Sequence, residues 1–229
     1  MKGVVAEGAG GGSNNGGNMR TLVIASLVIL ASVPASAGIV TRHVATDAEM
    51  LAYIQNIAFV AEGRIGDRGG VATFELDLGD DTGNPYTTAQ YPWQSAVAEP
   101  FTVTYNNPTN VATFTLGGKT LTYSPGVAFK EFFVRTRATE LNTSIQVYGL
   151  VLNGVSVGDI SSATGPGLDI LAVSGVDLFQ GFTLTGIAVM TWTGTPPSQS
   201  RLAFQIKVGN APTVPAEETS WGRIKGLYQ

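Results

Sequence analysis

The strongest constraint on the fold is an alternation of side chains near the end of the chain. Every second residue from Phe182 to Trp192 is apolar or glycine, and the residues between them are threonines or branched aliphatics. After a Pro-Pro turn the alternation resumes from Leu202 to Val208. Because successive side chains of a strand point to opposite faces, this period of two predicts two long, half-buried strands joined by a Pro-containing turn.

Similar segments recur at short intervals along the chain. One pair flanks Gly117 and Gly118, which predicts a tight hairpin because both glycines can adopt positive φ. About ten strands without intervening helices predict an all-β fold, an antiparallel β-sandwich of the jelly-roll kind. The predicted strands cover residues 57–61, 71–78, 101–105, 112–116, 121–123, 130–137, 144–152, 155–160, 170–174, 182–192 and 202–208.

One short helix is expected near the start of this domain. Residues 46–49 read Thr-Asp-Ala-Glu, a capping box in which Thr46 and Glu49 satisfy the first amides of a helix. We expect about two turns, packed on the sandwich by the apolar residues that follow. These are Met50, Leu51, Tyr53 and Ile54.

Composition excludes several function classes. The formal net charge is -4 and the 13 Lys and Arg residues are scattered, so no basic stripe is available for nucleic acid. The absence of cysteine excludes thiol catalysis, disulfides and Cys-ligated metals. No cofactor is predicted.

The first residues have the features of export. Residues 1–18 are rich in Gly and Asn and are predicted to be a disordered extension or a misplaced start ahead of Met19. Residues 19–37 combine Arg20, a short apolar run and an Ala-Ser-Ala ending, which predicts a secretory signal peptide cleaved after Ala37. The run is too short for a membrane span, and no transmembrane helix is predicted in the mature chain.

The predicted sandwich domain covers residues 38–209, and residues 210–229 read as a linker and a C-terminal sorting tail. Four apolar residues of the tail are predicted to form one face of a very short helix. They are Trp221, Ile224, Leu227 and Tyr228. The alternative is a frayed terminus.

Six segments together resemble one family of bacterial exported proteins, the choice-of-anchor W domain family. They are residues 59–66, 116–123, 133–138, 167–171, 181–186 and 202–209, of which the last is the most specific. The resemblance implies secretion and placement at the cell surface or outside the cell, through the secretion and sorting machinery. It implies no catalytic residues.

The chain departs from the frequent form of such families. They often end in a PEP-CTERM signal, a Pro-Glu-Pro motif followed by a hydrophobic helix. Residues 215–217 read Pro-Ala-Glu and no hydrophobic helix follows. The 221–228 segment is therefore predicted to occupy the place of that signal.

Glu75 and Asp77 are the sharpest catalytic candidates. They alternate on one predicted strand, a pattern similar to that of laminarinase-type glycoside hydrolases, and a retaining mechanism needs two carboxyl groups close together. The alternative is the polar outer face of a half-solvated strand, on which Arg135 and Arg137 from another strand form ion pairs with these acids.

Two further groups are candidate ligand sites. Asp80, Asp81 and Asn84 supply oxygens of the kind that Ca²⁺ prefers, although the same residues serve turns. His43 is the only histidine and is expected to be an exposed terminal residue, without a zinc site or a catalytic triad.

Aromatic side chains in a Pro-containing loop are candidates for sugar binding. Tyr91 and Trp93, with Tyr86 nearby, either stack on carbohydrate or close one end of the sandwich. The leading hypothesis is an exported structural or interaction protein that contacts envelope or matrix polysaccharide or protein. The alternatives are a lectin-like module using Tyr91 and Trp93, and a glycoside hydrolase using Glu75 and Asp77.

Overall fold

The structure is a computed structural model that describes residues 38–54, 56–66, 75–81, 86–126 and 129–210. The predicted signal peptide with its cleavage site at Ala37, and the predicted tail with Trp221, Ile224, Leu227 and Tyr228, lie outside the described residues. Within those ranges no helix has the length and apolar content needed to cross a bilayer.

The chain forms two antiparallel sheets of seven strands each and one helix, which confirms the predicted β-sandwich. The elements are β1 (Val40–Val44), α1 (Asp47–Tyr53), β2 (Asn56–Arg64), β3 (Leu76–Gly79), β4 (Tyr86–Ala89), β5 (Ala98–Asn106), β6 (Val111–Leu116), β7 (Lys119–Tyr123), β8 (Glu131–Ala138), β9 (Thr143–Leu152), β10 (Val155–Ser156), β11 (Ser161–Thr164), β12 (Gly167–Ser174), β13 (Phe182–Trp192) and β14 (Leu202–Asn210).

Sheet A has the strand order β1-β12-β8-β14-β2-β3-β4. Sheet B has the order β10-β9-β13-β5-β6-β7, and β11 pairs with β9. From β7 onward the chain passes repeatedly from one sheet to the other, so β8, β12 and β14 lie in sheet A and β9 and β13 in sheet B.

The two long strands predicted over 182–192 and 202–208 are both present, and they do not pair with each other. β13 pairs with β5 and β9, whereas β14 pairs with β2 and β8. The Pro-containing connection therefore crosses between the sheets. β13 is half-buried, as predicted, whereas the half-buried prediction for β14 is wrong because Ala203 and Lys207 on its other face are buried too. The apolar faces of the two strands meet across the sandwich interior.

The described residues contain fourteen strands, more than the ten or so expected. The added ones are short or lie at sheet edges, such as β1, β4 and β11. The predicted strand over 155–160 is wrong in extent, because β10 covers only Val155–Ser156. Short strands lack enough alternation to be recognised from sequence.

The glycine hairpin is confirmed. β6 and β7 pair from Ala112 with Tyr123 to Leu116 with Lys119, which leaves Gly117 and Gly118 as a two-residue loop. Their φ values are 54° and 74°, the backbone that a two-residue hairpin turn requires at both central positions.

Helix α1 begins as the capping box predicts and packs on the outer face of sheet A. The Thr46 Oγ1 accepts a hydrogen bond from the Glu49 amide at 3.1 Å. Met50 and Ile54 are buried in a second cluster with Phe133 and other residues of sheet A. The expectation for Leu51 is wrong, because its side chain is 53% exposed on the solvent side of the helix.

The interior between the sheets is rich in aromatic rings. Phe204 on β14 contacts Phe101 of β5 at 5.4 Å between ring centroids and Phe114 of β6 at 6.4 Å. Further along, Phe129 meets Phe59 edge-on at 5.6 Å and Phe182 at 6.2 Å. These rings join both sheets into one core.

Replacing Phe204 with alanine should destabilise the fold by about 3–5 kcal/mol, because the truncation leaves a cavity among the rings of Phe101, Phe114 and Trp93. Urea unfolding measures the change. The matched truncation Leu141→Ala, at a side chain that is 75% exposed, should stay within about 0.5 kcal/mol. Equal effects of the two variants would contradict the assignment of Phe204 to the centre of the core.

Candidate functional site

One end of the sandwich carries an open cleft of about 410 Å³, which we call the aromatic cleft. Its walls come from separate parts of the chain: the loop between β4 and β5, the end of β13 with the loop after it, the start of β7 and the segment around β3. The lining residues are Ile65, Glu75, Gln90, Tyr91, Pro92, Trp93, Lys119, Trp192 and Pro196.

Hydrogen bonds attach the loop that carries Tyr91 and Trp93 to the end of β13. The Ser95 hydroxyl donates to the Trp192 carbonyl at 2.8 Å and accepts from the Trp192 amide at 2.9 Å. The Ala96 amide donates to the Met190 carbonyl at 2.8 Å. These three bonds hold the loop aromatics and Trp192 at the same end of the sheet.

The two predicted aromatics contact each other and the core. Tyr91 and Trp93 meet edge-on with ring centroids 4.9 Å apart, and Trp93 meets Phe204 edge-on at 6.4 Å. Trp93 therefore has one side in the core and one side in the cleft. Its Nε1 is buried and has no hydrogen-bond partner among the described residues.

A glycine in the β6–β7 hairpin makes room for the Tyr91 ring. A Cβ at Gly117 would collide with the ring carbons of Tyr91. Burial, and to a smaller extent a hydrogen bond with Glu99, raises the pKa of Tyr91 to about 12. The phenol therefore stays protonated over the physiological range.

Glu75 brings a buried carboxylate into the aromatic cleft. It lies one residue before β3 and is only 2% exposed. Its Oε2 accepts a hydrogen bond from the Gly66 amide at 3.0 Å. The side chain is thus oriented by the backbone of a neighbouring segment.

Asp77 does not join Glu75 in the cleft. It lies within β3, opposite Glu62 of β2, and it is not among the cleft-lining residues. Glu75 itself lies at a bend just before β3. The structure therefore does not bring the proposed catalytic pair together at the cleft.

The environment of Asp77 changes its acidity. Burial, and to a smaller extent the nearby charge of Glu62, raises the pKa of Asp77 from 3.8 to about 7. Its Oδ1 is buried and has no hydrogen-bond partner within the described ranges. A carboxyl group in this position is most stable when it is protonated.

The calcium hypothesis is only partly within the described residues. The Asp81 carboxylate accepts a hydrogen bond from the ammonium of Lys207, which occupies one of its oxygens. Asp80 is half-buried, and Asn84 lies outside the described residues. Among the residues that the structure describes, no cluster of three or more acidic or histidine side chains has the arrangement of a metal site.

Arg135 pairs with a partner other than the ones expected. Its Nε and Nη2 donate to the two carboxylate oxygens of Asp47 at 2.6 and 2.8 Å, which ties β8 to the first turn of α1. β14 and β2 separate β8 from β3, so the predicted pairing of Arg135 or Arg137 with Asp77 is not formed. Alternation alone cannot tell which strands are neighbours.

His43 lies on the edge strand β1, and its side chain is about half exposed. It is therefore exposed, as expected, but paired within a sheet instead of lying in a free terminus. Its Nδ1 lies 2.7 Å from Asp169 Oδ1 and its Nε2 lies 3.4 Å from Asp159 Oδ1. The hydrogen bond with Asp169 raises the pKa of His43, so its protonated form helps to hold β1 in place.

Trp192 is the aromatic residue of the cleft that the sequence analysis did not predict as a site residue. Its place in the alternation of β13 identified it as a core residue, and it is indeed half-buried against the core. The available signal was its position as the last strand residue before the Pro-Pro turn, where a side chain reaches the end of the sandwich.

The sequence matches no protein-family model, and no curated protein matches it either. The resemblance to the choice-of-anchor W domain family therefore stays a prediction.

Substitution of Asp77 by asparagine should increase stability at neutral and higher pH. The folded chain holds the proton of Asp77 up to about pH 7 while the unfolded chain releases it near 3.8, so the stability of the natural protein falls between these values as pH rises. At pH 8 the Asp77→Asn chain should have a higher Tm than the natural protein, by about 2–4 °C for each kcal/mol gained in the free energy of unfolding. At pH 3 the two Tm values should be equal.

The control is Asp177→Asn, at an exposed carboxylate whose Oδ1 accepts from the Phe179 amide, a bond that asparagine can keep. Its Tm difference from the natural protein should not depend on pH. The same pH dependence in both variants would show that Asp77 has no special environment.

Proposed function

We propose that the protein is an exported, non-enzymatic module of the bacterial cell surface or extracellular matrix, and that it binds carbohydrate in the aromatic cleft. The observation that carries the proposal is the convergence of Tyr91, Trp93 and Trp192 from two distant chain segments on one concave surface. Sugar rings present apolar C–H faces that stack on aromatic side chains.

The polar groups of the cleft match the other half of sugar chemistry. Lys119 and Gln90 line the cleft, together with the largely buried Glu75. A few placed polar groups in a mostly apolar pocket are what orients a small ligand. The mixture of donors and acceptors suits hydroxyl groups, which both donate and accept.

We propose binding instead of catalysis because the two predicted acids, Glu75 and Asp77, do not both line the cleft. A retaining glycosidase needs two carboxyl groups about 5–5.5 Å apart on either side of the bond that is cleaved. Of the two predicted acids only Glu75 lines the cleft, and Asp77 lies beside Glu62. A single carboxylate serves recognition without supplying both roles.

Isothermal titration calorimetry with soluble β-glucan, chitin and xylan oligosaccharides tests the proposal, with and without Ca²⁺. At least one glycan should bind, and Trp192→Ala should weaken binding about tenfold or more, a loss of ~1.4 kcal/mol typical of a central aromatic contact. Trp192→Phe keeps a ring and should lose less.

The matched control is Tyr148→Ala, because Tyr148 is a half-buried aromatic on β9 that does not line the cleft. It should bind as the natural protein does. Failure of every glycan to bind would reject carbohydrate recognition. Release of reducing ends that Glu75→Gln abolishes would identify a hydrolase instead.

The export part of the proposal rests on the signal-peptide pattern and has its own test. Mass spectrometry of the protein recovered from culture medium and envelope fractions should find a mature amino terminus at Gly38. Deletion of residues 221–229 should move the protein from the envelope to the medium if the tail is a sorting signal. Unchanged distribution would reject the tail hypothesis and leave the binding proposal intact.

A further inference from the structure

The outer face of sheet B carries a regular array of threonines, which we call the threonine array. Each of four neighbouring strands, β13, β5, β6 and β7, contributes a Thr-x-Thr pair to it. The pairs are Thr183 and Thr185, Thr102 and Thr104, Thr113 and Thr115, and Thr120 and Thr122. In every pair the residue between the two threonines is buried in the core, so the threonines face outward.

The strand register aligns these pairs into two straight rows of four. One row runs across the strands as Thr183, Thr104, Thr113 and Thr122. The other row runs as Thr185, Thr102, Thr115 and Thr120. Members of a row are directly opposite one another, with no bulge between them.

Strand geometry gives the array two fixed repeats. Neighbouring strands lie about 4.7–4.9 Å apart, and residues two positions apart on a strand are separated by about 6.4–6.8 Å. Hydroxyl–hydroxyl hydrogen bonds fix some of the side chains, between Thr104 and Thr113 and between Thr115 and Thr120 at 3.2 Å. The face therefore presents a two-dimensional lattice of methyl and hydroxyl groups.

The array is accessible and uncharged. Thr120, Thr122 and Thr183 are exposed and the other five threonines are half-buried. None of the eight positions carries an ionisable or aromatic side chain. Propensity favours threonine on a half-exposed strand, but it favours valine, isoleucine and tyrosine equally, so it does not explain threonine at all eight positions.

We propose that the threonine array binds the surface of ice crystals. The surface of ice repeats its oxygen positions at spacings close to both repeats of this face. Threonine supplies a hydroxyl that hydrogen-bonds to lattice water and a methyl group that is favourably removed from liquid water. Because the face is uncharged, the binding does not require the removal of strongly hydrated ions from water.

The form of the surface also separates this ligand from the one proposed for the aromatic cleft. A soluble sugar needs a concave site, whereas a flat periodic array is complementary to a flat periodic solid. Crystalline polysaccharides are also periodic solids, but their recognition would use aromatic rings, which the array lacks. The two sites are independent of each other.

The twist of the sheet limits the strength of ice binding that we expect. Adjacent strands rotate by about 20–25°, so the match to a flat lattice is best over two or three strands and declines toward the ends of each row. The expected activity is inhibition of ice recrystallisation and shaping of ice crystals, with a small thermal hysteresis.

The test compares recrystallisation in a frozen sucrose solution, and crystal shape under a nanolitre osmometer, for the purified natural protein and its variants. The natural protein should suppress crystal growth at micromolar concentration. Thr113→Lys, at the centre of the array, should abolish the effect because the long charged side chain keeps the face away from ice. Thr113→Val, which keeps the methyl groups, should lose less.

Thr164→Lys is the matched control, because Thr164 is an exposed strand threonine on β11, outside the array. It should retain full activity, with circular dichroism verifying the fold of each variant. If Thr113→Lys does not fold, Thr120→Lys at the exposed edge strand replaces it and should also lose activity.

Absence of ice activity in the folded natural protein overturns the proposal, as does equal activity of the array and control variants. Retention on crystalline cellulose or chitin without ice activity overturns it too, and assigns the face to a polysaccharide solid.

Discussion

The packing of aromatic rings between the two sheets is the interaction on which the rest of the molecule depends. Phe204 contacts rings from sheet B and also the indole of Trp93. The same side chain therefore holds the sheets together and supports one wall of the aromatic cleft. Because interiors are close-packed, displacement of Phe204 would be transmitted to both the sandwich and the site.

The alternation of side chains along each strand produces both the buried core and the outer face of sheet B. Phe101 and Val103 are buried in the interior, and the threonines that alternate with them form the outer face of β5. A one-residue slip of register would exchange the two sets, so the buried rings also fix the position of every threonine in the array. The periodicity of the outer surface is thus maintained by the chemistry of the inner one.

Charged side chains of sheet A form ion pairs that hold neighbouring elements in place. The bidentate pair of Arg135 with Asp47 attaches α1, and the contact of Lys207 with Asp81 attaches the end of β3. Asp77 is the exception, because burial and Glu62 raise its pKa to about 7. Each of these ion pairs joins two elements that are far apart in the sequence.

Local patterns were sufficient for the fold class and for particular elements. The alternation of Phe182 to Trp192, the capping box at Thr46 and the glycine pair of the hairpin each act through neighbouring residues, and each is present in the structure. Tyr91 and Trp93, which the aromatic, Pro-containing loop marked as candidates, line the aromatic cleft.

Strand neighbours were decided only by the tertiary structure. The sequence shows Thr-x-Thr pairs but not that four of them lie side by side, and it shows Trp192 but not that it meets the 91–93 loop. It also predicted Glu75 and Asp77 as a pair, whereas only Glu75 lines the cleft. The physical reason is that the period of two specifies which face a side chain takes, whereas pairing across the sheets depends on packing between residues far apart in the chain.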